Sequence, residues 1–421
     1  MKVPVRHAGW FPVAMATTLT GMDSTILSTP DAREFPMHTS AYPVMSTPEP
    51  SRYNLKWGKL IARFHASIDS EFTDNLNLSD QNREADVSFG PNFEAGFLWP
   101  MTRDNSLQLD LGVGYRWFAN HPSVQSFNLA PNSRIDYRIR AENFQISLHD
   151  GFSIQADPAS RPDIDGSSAG NPINFRRFGN TAGIIAEWRP VREWSVFSGY
   201  NFMVDRSISG EFTSIDRNDQ AFTAGSTYDL SARWTVGLKA AYTLTDYLQK
   251  VQNDATSYTL GPVFVFKASS FITVDAVAGY SVSTFDSSGT IQDSSEFRGF
   301  TGQLGIRHVL NSRASHELRV SQGRDLGLGS NFYDITALSY AIDARLQRRV
   351  TLHGKATYEH SRASIVGGET AERYIAYLGA GFQLSRDWSG SLGYTLSLKD
   401  SNLAGRDYTQ NRMTFQLSRR F

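Results

Sequence analysis

The chain has no cysteine among its 421 residues. Disulfides, a lipoprotein anchor and Cys-ligated zinc or iron–sulfur sites are therefore excluded. No run approaches the roughly 18 to 20 consecutive apolar residues that a membrane helix needs. A membrane β-barrel escapes that test, because only every second residue faces lipid. Neither sign of charge dominates: 41 basic residues stand against 42 acidic ones, for a formal net charge of −1. That balance gives no reason to expect nucleic acid as a partner.

What is present divides into two parts. In residues 1–54, Lys2, Arg6 and His7 precede a short apolar stretch from Phe11 to Leu19, which Pro12 and threonines interrupt. This reads as a leader, either an atypical signal peptide or a disordered segment, followed by a Ser/Thr/Pro-rich lead-in over 21–52. From residue 55 to 421 one pattern repeats. Apolar residues occupy every second position for 8 to 14 residues, and then the pattern breaks. Successive side chains of a strand point to opposite faces, so this is the signature of half-buried strands.

The first strand carries Leu60, Ala62, Phe64, Ala66, Ile68 and Phe72 on one face and Arg63, His65, Ser67, Asp69 and Glu71 on the other. Val87, Phe89, Phe93, Phe97 and Trp99 repeat the pattern, as do Trp234, Val236, Leu238, Ala240, Tyr242 and Leu244. Connections alternate between short turns, such as Arg189–Glu193 and Gln347–Arg349, and longer polar loops, such as 74–84, 119–133 and 157–176. Such alternation marks a transmembrane antiparallel up-and-down β-barrel. The fold class expected is all-β, with about 18 strands (16–18) and residues 55–421 forming the barrel. Trp99, Trp188, Trp194, Trp234 and Trp388 all sit beside short turns in the apolar phase. That is the place for an aromatic girdle at one membrane interface. A soluble sandwich or propeller also alternates, but its strands average 5 or 6 residues and a propeller shows a blade repeat absent here.

The last segment runs from Tyr408 to Phe421, with Met413, Phe415 and Leu417 in phase behind the terminal Phe421. It resembles the C-terminal assembly signal of bacterial outer-membrane proteins. Arg419 departs from that pattern, standing where an apolar residue is commoner. Two further stretches, Glu71 to Ser79 and Phe144 to Ile154 running into Asp157-Pro158, resemble the β-barrel porins of bacterial outer membranes that are associated with exopolysaccharide systems. The resemblance implies an integral, multi-pass outer-membrane location. It also implies contact with outer-membrane lipid, the barrel assembly machinery and periplasmic chaperones as partners in assembly, and the homo-oligomers in which porins are often found. It implies no particular solute.

Motifs for chemistry are sparse. Gly166 to Gly170 matches G-x-S-x-G, but it lies in a Gly/Ser-rich loop rather than at a strand–helix turn. Asp163-Ile-Asp165-Gly166 is half a calcium loop, with Arg161 where the first ligand belongs. His121 and Ser123 are the nearest approach to an outer-membrane hydrolase, in a loop and without the rest of its signature. The expectation is no enzyme, no metal and no cofactor.

The polar phase should face the lumen. There it places Arg63, Arg116, Lys239, Arg307, Arg319 and Lys355 beside Asp69, Glu71, Glu94, Asp110, Glu187, Asp275, Glu317 and Glu359. Rings of one sign would confer selectivity, whereas a balance predicts either a weakly selective aqueous pore or a wall of mutually paired charges. The function expected is a porin-like channel for diffusion or export of small hydrophilic solutes or saccharide. The alternative is a non-conducting barrel that anchors a surface structure or serves an exopolysaccharide exporter. The longest loop, 157–176, is the one expected to fold inward as a constriction.

Overall fold

The structure, a computed structural model, describes residues 55–161, 163–164 and 170–421. The leader expected over 1–54 and the segment Gly166 to Ala169 lie outside the described residues. The strands run β1 (Leu55–Trp57), β2 (Leu60–Thr73), β3 (Asp86–Pro100), β4 (Asn105–Phe118), β5 (Ser126–Leu129), β6 (Arg134–Ala141), β7 (Phe144–Gln155), β8 (Arg177–Val191), β9 (Trp194–Ser207) and β10 (Arg217–Asp229). They continue as β11 (Trp234–Tyr247), β12 (Ala255–Lys267), β13 (Ile272–Phe285), β14 (Phe297–Asn311), β15 (Ala314–Leu326), β16 (Phe332–Gln347), β17 (Val350–Ala363), β18 (Thr370–Gln383), β19 (Trp388–Ser401) and β20 (Tyr408–Arg420).

Sequential strands pair antiparallel, and β2 closes the sheet on β20 with a register from His65↔Arg420 to Thr73↔Arg412. The result is a closed barrel of 18 wall strands. In that wall β5 and β6 form one interrupted strand, and β1 is a short arm on β2. Closure removes the free edge strand that an open sheet would carry along its whole length, which a bilayer would not tolerate.

The loop expected over 119–133 is corrected in part. Ser126–Leu129 already pairs with the upper half of β4, and the interruption is confined to Ala130–Ser133. Pro131 has no N–H to give the ladder. The chain detours, and Ser133 Oγ accepts the Gly112 N–H at 3.0 Å in its place. A Cβ on Gly112 would stand 2.6 Å from that of Ala130, so the detour needs glycine opposite it.

The apolar phase lies on the outside. Phe89, Tyr258, Phe300, Leu378 and Leu392 are all exposed there, inverting the burial of a soluble protein. The buried apolar clusters lie instead at the long-loop end. Ile164, Phe175, Phe212, Ile215, Tyr247 and Leu328 form one, and Leu78, Ala159 and Tyr408 form another.

Candidate functional site: the lumen and its mouth

The side chains of the polar phase lie on the face of the wall opposite the exposed apolar residues, and register decides which charges meet. Arg63 and Asp110 flank Gly96 on the strand between them and approach to 3.6 Å. Asp275 and Arg319 do the same across Gly305, at 4.0 Å. Arg116 reaches Glu71 at 3.7 Å, and Glu94 lies 4.0 Å from His65. Asp69 accepts a hydrogen bond from Asn92, and Glu187 accepts from Arg189 at 2.6 Å and from Ser195 at 2.9 Å. Arg319 Nε donates to Glu317 at 3.0 Å, and Arg307 stands opposite that same Glu317 in the ladder. Lys239 lies between Gly225 and Gly261, and Lys355 between Ala341 and Tyr377. Glu359 is held by two nitrogens of Arg373, at 3.0 and 3.1 Å.

All fourteen residues expected to line the lumen thus occupy the phase opposite the exposed apolar residues. Most pair with opposite charges along the wall rather than forming rings of one sign. At the short-turn end, Gln145, Glu187, Ser195, Thr227 and Thr235 help line a recess of about 720 Å³.

Near the long-loop end lies a denser set of charges that sequence reasoning passed over. Arg177 contacts Asp205 at 2.6 Å and Asp216 at 3.0 Å, and Arg217 contacts Asp219 at 3.0 Å. Lys399 is buried against Glu369 at 2.7 Å. Their phase was readable, but their mutual contacts depend on register.

Above this layer the connection from β7 to β8 turns inward and crosses the mouth. Asp157 meets Arg412 of β20 at 3.5 Å, and the Ala159 carbonyl accepts from Arg373 of β18 at 3.1 Å. Asp163 pairs with Arg161 at 2.7 Å and accepts the Leu328 N–H at 2.8 Å. Ile164 is fully buried in the apolar cluster that joins this loop to Phe212 and Tyr247. Asp163 is therefore engaged in holding the loop, which accounts for it without a metal. The Glu71–Ser79 stretch contributes Leu78, which packs against Ala159 and Tyr408 with φ 48°.

His121 is clamped between two carboxylates, Nδ1 to Asp86 and Nε2 to Glu84, each at 2.6 Å. Neither ring nitrogen is bonded to Ser123. Burial alone would disfavour the imidazolium, but the two carboxylates outweigh it and hold the His121 pKa above its ordinary value.

Trp99, Trp188, Trp194, Trp234 and Trp388 are all exposed, beside the short turns. Met413, Phe415 and Phe421 are exposed along the closing strand, with Leu417 in phase between them. The Arg419 guanidinium lies over the rings of Trp388 and Phe421, 5.5 and 4.9 Å from their centroids. The departure from the apolar pattern is thus absorbed by aromatic neighbours.

Residues 255–421 match the family model described as "Outer membrane protein beta-barrel domain". No curated protein matches the chain. Among solved structures, the chain is similar to OccK7 (OpdD) of Pseudomonas aeruginosa, with a TM-score of 0.51 at 10% identity over 87% of this chain and 99% of that one. It is similar also to a BenF-like porin from Pseudomonas fluorescens Pf-5, with a TM-score of 0.50 at 7% identity over 86% and 99%. OccK2 (OpdF) of Pseudomonas aeruginosa, solved with glucuronate, gives a TM-score of 0.50 at 9% identity over 86% and 98%. At such identities the likeness is one of fold.

Proposed function

We propose that this closed barrel is an integral protein of the bacterial outer membrane and that it conducts small hydrophilic solutes through a polar lumen narrowed at its mouth. The observation that supports the reading is the inward course of the β7–β8 connection, fixed to the non-neighbouring strands β18 and β20 by Arg373 and Arg412. Barrels of 16 to 18 strands leave an aqueous channel unless something fills it. Here the fill is a loop near one end. Below it the wall is lined by Gly, Ser and Thr, with charges that pair locally.

Locally paired charges create little long-range field, so weak ion selectivity is expected. No step of chemistry is assigned, and solutes pass by diffusion. The closing strand, ending at Phe421, is read as the segment that the assembly machinery engages.

Single-channel recording of refolded protein in a planar bilayer tests the reading. Discrete, stable, weakly selective steps are expected. Silence from protein shown by circular dichroism to be folded β would replace the channel with a plugged, structural barrel.

A further inference from the structure

The wall is not continuous at every height. The β14–β15 ladder runs from Asn311↔Ala314 up to Gly302↔Gln322 and stops. Above that, residues 297–301 of β14 pair only with β13, and residues 323–326 of β15 pair only with β16. The parting begins at a definable level. Phe300 packs edge-on against Tyr280 of β13 at 5.5 Å, in a band of outward aromatics that includes Tyr242 and Tyr258. Such a band marks a membrane interface. Phe300 itself is 76% exposed, beside the parted strands. A sheet edge at this depth is stable only where protein or water satisfies it.

Arg324 occupies the parting. By alternation and by its partner Asp334 it belongs to the outer face, in phase with Leu318 and Val320. Its guanidinium nevertheless lies on the inner face, 5.8 Å from the ring centroid of Phe285 and 6.0 Å from that of Phe297. It donates to Ser257 Oγ of β12 at 2.8 Å. The crossing is open to it because the ladder has ended below. Arg324 forms no ion pair among the described residues, and its Nη1 has no hydrogen-bond partner. Ser283, which lies between Ser257 and Phe297 in the register, has a fully buried hydroxyl that is also without a partner. Asp325 and Asp219 act on the guanidinium electrostatically without bonding it, and its free Nη1 and the Ser283 hydroxyl, walled by phenylalanines, leave donors available to an anionic group. The route outward from it passes between strands over an exposed apolar ring.

We propose that the parted β14–β15 seam binds an anionic lipid, its headgroup on Arg324 inside the wall and its acyl portion leaving over Phe300 into the bilayer. The headgroup chemistry is a carboxylate or a phosphate. The seam gives the barrel a lateral opening at the interface, independent of whether the axial lumen conducts.

Photolabelling of protein in vesicles tests this, with peptide mapping of the labelled sites. The probes are a diazirine-bearing long-chain fatty acid, the matching neutral alcohol, and a diazirine-bearing anionic phospholipid. The fatty acid or the phospholipid should label residues 297–304 and 322–336 above the rest of the wall, and which of them does so names the source of the headgroup. The alcohol should label the wall evenly. Arg324→Gln should reduce the seam signal to the level of the remaining wall while labelling elsewhere persists, which also shows that the variant has inserted. A disulfide joining Thr301→Cys to Gly323→Cys, formed in a chain with no other cysteine, should close the seam and abolish the same signal. Even labelling by the charged probes overturns the proposal. So does a seam signal unchanged by Arg324→Gln, or one that the alcohol reproduces.

Discussion

Arg63 and Asp110 sit on β2 and β4 and meet across the bare backbone of Gly96, two strand spacings apart. A Cβ at Gly96 would lie 2.7 Å from the Asp110 carboxylate, so glycine leaves the room in which the pair forms. Asp275, Gly305 and Arg319 repeat the device on the other side of the barrel.

Both members of the first pair are partly exposed to the lumen, so the pair contributes little to stability, about 0–1 kcal/mol for an ion pair of this kind. Its effect falls on the field. Asp110→Asn should leave Arg63 uncompensated and move the reversal potential in a salt gradient toward anion preference. Arg63→Gln should move it the opposite way. Thermal stability should change little in either. Shifts of the same sign in both variants would show that the pair does not contribute to the pore field as described.

The loop across the mouth can be tested by removing it or its support. Deletion of residues 160–172 should raise single-channel conductance, since the segment joining Ala159 to Leu328 is then gone. Unchanged conductance would rule out the loop as the constriction. Arg373→Ala removes the support and takes a buried ion-pair partner from Glu359, and both residues are almost fully buried. Breaking a buried pair from one side costs about 3–5 kcal/mol. Equilibrium unfolding in urea should show a loss of that order, well above the loss from either Arg63 or Asp110.

Much of this architecture was legible because a strand has a period of two. Phase alone places Arg63, Lys239 and Glu359 inside and Trp99, Trp234 and Trp388 outside. Register was not legible, since it depends on turn lengths and on where ladders stop. For that reason the pairing of Arg177 with Asp205, or of Glu359 with Arg373, could not be read from the chain. Four-residue β5 was hidden because its alternation is too brief, and Pro131 behind it reads as loop. Arg324 opens a polar stretch that reads as loop, which hid both the extension of β15 to Leu326 and the crossing of its guanidinium where β14 and β15 part. The inward loop did leave a signal in Ile164, Ile173 and Phe175, the large apolar residues of a mostly polar connection.

His121 should make one end of the barrel pH-sensitive. Its folded pKa is raised by Asp86 and Glu84. The stabilisation is fully present below the unfolded value of about 6.5 and is lost as pH rises through the higher folded value. Amide protection at Ala119 and Asn120, whose N–H groups donate to Asp86 at 3.1 Å, should therefore fall on going from pH 6 to pH 9. His121→Phe should remove the dependence. A protection factor that is flat in the wild type would show that the clamp does not couple to the loop.

Arg419 is the residue by which the closing strand departs from an apolar pattern, and its contacts predict how replacements behave. The guanidinium faces two rings, Trp388 on the neighbouring strand and Phe421 two residues along its own. Exposed cation–π contacts contribute about 0.5–1 kcal/mol each. Arg419→Ala should therefore slow folding into vesicles modestly and lower stability by an amount in that range. Arg419→Phe should match or exceed the wild type, because the position is in the outward phase and beside the tryptophan girdle. Arg419→Glu should be the worst of the three, since a carboxylate is repelled by the ring faces and is costly near lipid. The band shift between folded and heated protein on a gel reports the folded fraction over time. If Arg419→Glu folds as fast as the wild type, the aromatic contacts do not assist closure, and the arginine is merely tolerated at the end of the strand.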